Sequence, residues 1–346
     1  MIFLNKAKNY IANGALDFWQ RGSTFTAIAT STYFADRFLY QKSGAVVHTI
    51  TRDTDVPTLT QSKFTFPYSA VLTTTTLMTA GSTDYCAISQ RIEGQVFSPL
   101  AGRSLTVTFW VKSSITGVYA VAFRNGSLNR SYVSTYTVNA ANTWEKKSIT
   151  LSHNITGTWT YTTATGLEVL FPLCSGSSLQ APSLNNWYDG NFISHSTCVN
   201  AVSTIGQVFK ITGIQLEEGT EASNFERMGY IISNELSICQ RYYEKSYQID
   251  TAPATNTNNG KVIAHVGDST FLPGFRFSQA KRTLPTITIY SGTGILGSVT
   301  RFVGGANIAV ATLTTDLSET CVGYLSGTVL VNGATYTYHY TADAEL

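Results

Sequence analysis

The chain has 346 residues, enough for more than one hydrophobic core, but only 13% are charged, against roughly 25% in an ordinary soluble domain, while aromatics reach 12%. Its 23 basic and 21 acidic residues are spread without runs of one sign, for a net charge of +2, which argues against a nucleic-acid surface. No segment approaches the length of an apolar membrane span, and MIFLNKAKNY has neither a long apolar run nor a small-residue cleavage site, so no membrane insertion and no secretory route are expected.

With so few charges, the surface must be built from hydroxyls and amides. Threonine and tyrosine are abundant and suit a pleated, half-buried strand, so the leading expectation is a mainly β protein. The five cysteines, Cys86, Cys174, Cys198, Cys239 and Cys321, are widely spaced, with no CxxC and no paired histidines. They are read as reduced, mostly buried thiols, with no zinc and no cofactor. The sequons at Asn125, Asn129 and Asn154 are discounted without a secretory route.

Residues 1–30 read as an arm. NGALDFWQRG places Leu16, Phe18 and Trp19 between two glycine turns, too short for a domain and too apolar to float free. Residues 31–228 read as a jelly-roll β-sandwich of many short antiparallel strands. SLTVTFWVKS alternates, putting Leu105, Val107, Phe109 and Val111 on one face and leaving Trp110 on the other. Asn125 and Gly126 mark a hairpin, and TWEKKSITLS, GLEVLFPL and FKITGIQLEEG follow as strands.

At residues 229–250 the period changes. Ile232, Leu236, Cys239 and Tyr243 are spaced 4, 3 and 4, a helical stripe and also a short heptad seam. Cys239 on that stripe reads as a buried thiol, with Arg241 and Lys245 toward solvent or a neighbour. After the polar connector TAPATNTNNGK, residues 251–346 read as a smaller antiparallel β domain. There Asn332 and Gly333 suggest a second hairpin, and Tyr336, Tyr338 and Tyr340 share one face, either core or subunit contact.

Candidate chemistry is sparse. Adjacent Glu217 and Glu218 point to opposite faces of a strand and cannot share a substrate. Asp53 and Asp55 face the same way and could ligate calcium, but RDTDVP lacks the further ligands. His265, Asp268 and Ser269 offer the residue types of a triad without a GxSxG elbow, and His48, His153, His195 and His339 are scattered. No catalytic residues are assigned.

A glycan site has more to support it. LNNWYDGN supplies Trp187 and Tyr188 for stacking and Asn186 and Asp189, with Asn185 and Asn191, for hydroxyls. The same composition also arises as turns with aromatic lids on a core. Trp110 is a second candidate.

NGALDFWQRG, SLTVTFWVKSS, NTWEKKSITL and ITGIQLEEGTEASNFERM followed by ELSICQRYYEK, in that order over residues 10 to 245, resemble a family of bacteriophage tail-fibre and receptor-binding proteins. The resemblance implies a jelly roll like a carbohydrate-binding module in a virion structural protein without enzymatic activity, commonly a homotrimer. It further implies attachment to other virion proteins through the arm, at Phe18 and Trp19, and contact with a host surface glycan or protein receptor by the distal part. Leu236, Cys239, Tyr243, Tyr336, Tyr338 and Tyr340 would then serve oligomer or interdomain packing. The alternatives are a glycan-binding module outside a virion, and a polysaccharide depolymerase.

Overall fold

The computed structural model describes residues 9–267, 271–312, 316–327 and 330–346. The chain is mainly β, with few helices. It divides into two compact units. Residues up to Asp17, Ser23–Glu235 and Leu346 make one; Phe18–Gly22 and Leu236–Glu345 make the other.

The first unit is an antiparallel sandwich of jelly-roll type. Among the described residues one sheet orders its strands Thr24–Phe25, Val47–Asp53, Ser69–Thr76, Val208–Glu218, Ser104–Ser113 and Glu145–Ser152. The other runs Trp187–Asp189, Arg130–Val138, Gly117–Asn125, Thr165–Ser175, Tyr85–Glu93, Phe38–Ser43 and Thr32–Tyr33. The inner faces meet through aromatic side chains: Phe109 packs edge-on against Phe171 and Tyr136, each with centroids 4.9 Å apart. The alternation read from SLTVTFWVKS therefore holds, with Leu105, Val107, Phe109 and Val111 fully buried. The Asn125–Gly126 turn closes a hairpin whose strands pair from Arg124 and Ser131 onward.

Parts of both outer faces are also covered, which the alternation alone did not suggest. Trp110, expected to face outward as a glycan candidate, is buried with Ala15, Phe66, Trp144 and Phe225. On the other sheet, the segment carrying Ala181 and Ile193 roofs Ala87, Ala120, Ala122, Val133 and Leu170. Under the same roof Arg124 Nε donates to Glu168 Oε2 at 2.7 Å and Arg124 reaches Asn191 Oδ1 at 2.8 Å, so a buried charge pair is hydrogen-bonded on both sides. Cys86 and Cys174 face each other across paired strands with sulfurs 3.5 Å apart.

The start of the described chain is locked to strand Val208–Glu218. That strand shifts register between Thr212 and Gln215, with Gly213 at φ +63°, a conformation glycine adopts at little cost. Asn9 Nδ2 donates to the carbonyls of Ile214 and Glu226, and its Oδ1 accepts from the amides of Ile11 and Leu216. Ile214 N donates to Gly14 O at 2.9 Å, and a Cβ on Gly14 would lie 2.1 Å from Ile214 O, so only glycine fits. The Gln90 side chain clasps both the amide and the carbonyl of Ala12 at 2.8 Å.

Helix Ile232–Gln240 straddles the division between the units. Its stripe is shorter than the spacing predicts. Cys239 is buried and Leu236 half-buried, but Ile232 is exposed, and Tyr243 opens a strand, Tyr243–Lys245, that pairs with Asp343 and its neighbours. Lys245 does not face solvent. Its ammonium donates to the carbonyls of Gln20, Ile249 and Thr251 at 2.5 to 2.8 Å.

In the second unit Thr335–Asp343 is the organising strand, pairing with Tyr243–Lys245, Val262–His265, Thr286–Ser291 and Ser298–Arg301. Asn332–Gly333 makes a turn; the arm expected before it includes residues 328–329, which lie outside the described residues, and Cys321–Gly327 pairs with Phe271–Arg276 and Asn307–Thr312. Tyr336, Tyr338 and Tyr340 are core here and not a surface for another subunit, since all three are buried and Tyr340 stacks on Phe275 at 3.8 Å. Phe18 and Trp19, expected at a virion contact, are 6% and 2% exposed, so their side chains are occupied within the chain.

The core of this unit encloses an ion pair. Glu244 accepts from Lys281 Nζ at 2.6 Å, from Ser278 N and Oγ at 2.9 to 3.0 Å, and from Tyr340 Oη at 2.9 Å. The two charged side chains are 0% and 2% exposed. Replacing one partner strands the other charge in a dry site, at about 3–5 kcal/mol. Lys281→Met is therefore expected to lower the denaturation midpoint sharply, and Lys281→Met/Glu244→Gln to recover part of the loss; equal midpoints for wild type and Lys281→Met in urea would refute this.

Candidate functional site

A groove of about 820 Å³ in the first unit opens where the edge strands of the two sheets meet. Strand Trp187–Asp189 borders one sheet and Glu145–Ser152 borders the other. Trp187 stands opposite Tyr132 in the ladder, so both side chains project to the same side, toward that mouth. The indole is fixed by its Nε1, which donates to Ser152 O at 2.8 Å. Around it Tyr132, His153 and Trp159 have centroids 5.4 to 5.5 Å away, and Phe97 backs His153 and Trp159. The part of the half-buried indole left over lines the groove.

Polar capacity comes from three amides on the wall. Asn154 Oδ1 accepts from Thr156 N, Asn185 Oδ1 accepts from Ser134 Oγ, and Asn186 Nδ2 donates to Ser183 Oγ and Leu184 O. Among the described residues this leaves the amide nitrogens of Asn154 and Asn185 and the amide oxygen of Asn186 without hydrogen bonds. Asn185 holds a left-handed backbone, φ +61°, and its N–H donates to Val133 O, which turns the chain into the short strand.

His153 is the buried member. Gly102 N donates to its Nδ1 at 2.9 Å, which places the proton of the neutral ring on Nε2, and Nε2 is buried without a hydrogen-bond partner beside the groove. Burial pulls this imidazole from its ordinary 6.5 down to about 4. A proton on Nδ1 would also displace the Gly102 bond.

Of the four residues expected at a glycan site, the groove brings together Asn186 and Trp187. Tyr188 points the other way by strand alternation: its hydroxyl bonds Ser183 at 2.7 Å and its ring meets Phe192 under the roof. Asp189 is not part of the groove lining; one of its oxygens pairs with Arg130 at 2.9 Å while the side chain stays exposed. Asn185, named beside those four, also lines the groove, while sequence reading missed Tyr132, His153, Asn154 and Trp159. The usable signal was HNITGTWT, an amide and an indole in a polar loop directly after an edge strand.

The other candidates are structural. Asp55 accepts from Lys112, Lys210 and Trp144, Asp53 from Lys210, and no cluster of metal-ligating side chains occurs among the described residues. Burial raises the Asp55 carboxyl, but those three donors outweigh it and hold it well below the usual range. Glu217 accepts from Gln215 and Ser223, while Glu218 pairs with Arg103. Buried His48 sits between Tyr40 and Thr74, His195 bonds Thr197, and His339 stacks on Tyr247 at 3.8 Å. His265 bonds Thr335; Asp268 and Ser269 lie outside the described residues.

His153 and His48 are both held near 4, and burial is the larger cause in each. A histidine with a depressed folded pKa gives its full stability above the unfolded value, about 6.5, and loses it as pH falls toward 4, because the unfolded chain takes the proton first. Melting should therefore drop by several degrees between pH 6.5 and 4 and by less in His153→Gln. A flat profile for the wild type over that window would contradict the neutral assignment.

No family model and no curated protein matches the sequence. Among solved structures, the enzymatically active domain of tailspike protein 4 of bacteriophage CBA120 is 17% identical, with TM-score 0.36, over 61% of this chain and 21% of that one. The present chain thus spans about a fifth of the tailspike domain's length. A CBM4 carbohydrate-binding module is 11% identical, with TM-score 0.33, over 60% of this chain and 99% of its own. The family 11 carbohydrate-binding module of Clostridium thermocellum, solved with a β-1,3-1,4-mixed-linked tetrasaccharide, is 10% identical, with TM-score 0.31, over 58% and 99%. Each likeness falls on about three fifths of this chain.

Proposed function

We propose that this protein is a glycan-binding subunit that a bacteriophage particle presents to its host, and that the saccharide is held in the groove beside Trp187. The observation that supports glycan binding best is the groove itself. It joins a fixed, half-buried indole to three amides with unused donors and an unused acceptor. An indole offers a flat apolar surface to the C–H face of a sugar ring, and side-chain amides can both donate to and accept from its hydroxyls. A groove of about 820 Å³ falls within the range of small-ligand sites and has room for several sugar rings.

The proposal is binding without turnover. Hydrolysis of a glycosidic bond generally takes two carboxyl groups across the bond, and the groove lining consists of amides, hydroxyls, rings and aliphatic groups. The phage assignment rests on the four sequence motifs and their order. In that reading the chain is a fibre or appendage subunit, associates as a homotrimer, and attaches to the particle through its N-terminal part.

Two measurements separate the parts of this reading. On a glycan array the full chain should bind at least one neutral oligosaccharide, and Trp187→Ala should weaken that interaction tenfold or more, since burying an aromatic side chain is worth about 1.5–3 kcal/mol. Binding undiminished in Trp187→Ala would remove the groove from the proposal. Light scattering of the full chain should give the mass of a trimer; a monomer at micromolar concentration would count against the fibre assignment and leave the groove untouched.

A further inference from the structure

We infer that the second unit carries a separate site for an acidic saccharide, at a groove of about 420 Å³ lined by Asn258, Lys261, Ile263, Arg301, Phe302 and Thr337. The floor is the face of strand Thr335–Asp343 opposite its tyrosine core. Thr337 lies between Ile263 and Thr300 in register, so three neighbouring strands present these side chains side by side. One wall is the connector TAPATNTNNGK. That segment is laid along the sheet, where His339 Nε2 meets Thr257 O at 3.2 Å, and it ends at Asn258, Gly260 and Lys261 beside the groove. The other wall is the turn after strand Ser298–Arg301, with Phe302 and Gly305.

Two cations line this groove, and among the described residues neither has a carboxylate partner. Lys261 Nζ donates to the neutral amide of Asn258 at 2.5 Å. Among the described residues Arg301 makes no side-chain hydrogen bond or ion pair, and its buried Nε has no partner. An uncompensated, partly desolvated guanidinium beside an ammonium favours an anion, and a planar carboxylate matches the guanidinium fork. Phe302 and Ile263, each 68% exposed, add apolar surface that a bare inorganic ion cannot use but the C–H face of a sugar ring can. Thr300 is part of the same face, its hydroxyl already committed to Asn307 and Gly292, which fixes the floor. A sugar bearing a carboxylate uses all of these features; a neutral sugar leaves the two charges unmatched, and phosphate leaves the phenyl ring bare.

The full chain can be titrated by calorimetry at low salt with trigalacturonate, its neutral galactose counterpart and inorganic phosphate. Trigalacturonate is expected to bind saturably, at least tenfold more tightly than the neutral trisaccharide, and to weaken as salt is added. Lys261→Gln and Arg301→Gln should each weaken it at least fivefold, and Phe302→Ala should weaken trigalacturonate but not phosphate. Lys261 lies outside any strand, so its variant keeps the test open where Arg301→Gln perturbs the sheet. Trp187→Ala should leave this binding unchanged, which distinguishes the site from the sandwich groove. Equal affinity for the neutral trisaccharide, absence of saturable trigalacturonate binding, or phosphate binding as tightly with Phe302 immaterial would each overturn the assignment.

Discussion

The first unit depends on one local irregularity, the register shift at Gly213 and Ile214 in strand Val208–Glu218. A regular strand would direct its amides and carbonyls into ladders on both sides. The shift frees the backbone of Ile214 and Leu216, and residues 9–14 take up those groups through Asn9 and Gly14. Four hydrogen bonds on a single fully buried asparagine side chain would be costly to leave unmade. The arm is consequently part of the sandwich, and the stretches NGALDFWQRG and ITGIQLEEG interlock through Gly14 and Ile214.

A chain with few charges can still hide several of them. Glu168 with Arg124, Glu244 with Lys281, and Lys245 with three carbonyls are all buried, each with its hydrogen bonds made inside the fold. Such groups add little net stability over an apolar filling, but they penalise any packing that separates them. This gives a threonine- and tyrosine-rich sequence, whose strands otherwise have similar character, a way of fixing their register. Lys261 and Arg301 depart from that economy, and that departure marks their groove.

Much of the fold could be read from period and turn chemistry. SLTVTFWVKS gave its inner face correctly because alternation follows from strand geometry, and the Asn125–Gly126 turn worked because its strands are adjacent in both sequence and sheet. The covering of Trp110 was not legible, since the residues that bury it, Ala15, Phe66, Trp144 and Phe225, come from remote segments. At Asn332–Gly333 turn chemistry says where the chain bends and not which strand it then joins. At the groove, Trp187 and Asn186 were visible as composition. Tyr188 was bound to point elsewhere once 187–189 became a strand, and the wall holding His153 and Asn154 is near Trp187 only because two edge strands converge.

The pentapeptide Phe18–Gly22 belongs to the second unit although it precedes nearly all of the first. On the ribosome it emerges more than two hundred residues ahead of the segment it must join, with Trp19 among the largest side chains it brings. The sandwich can close around residues 9–17 while this loop waits, so the second unit is completed last and by a contact of very long sequence separation. No single cut in the chain yields both units whole. A fragment beginning at residue 31 loses the arm from the sandwich, and one beginning at residue 236 loses Gln20, one of the three carbonyls that hold Lys245.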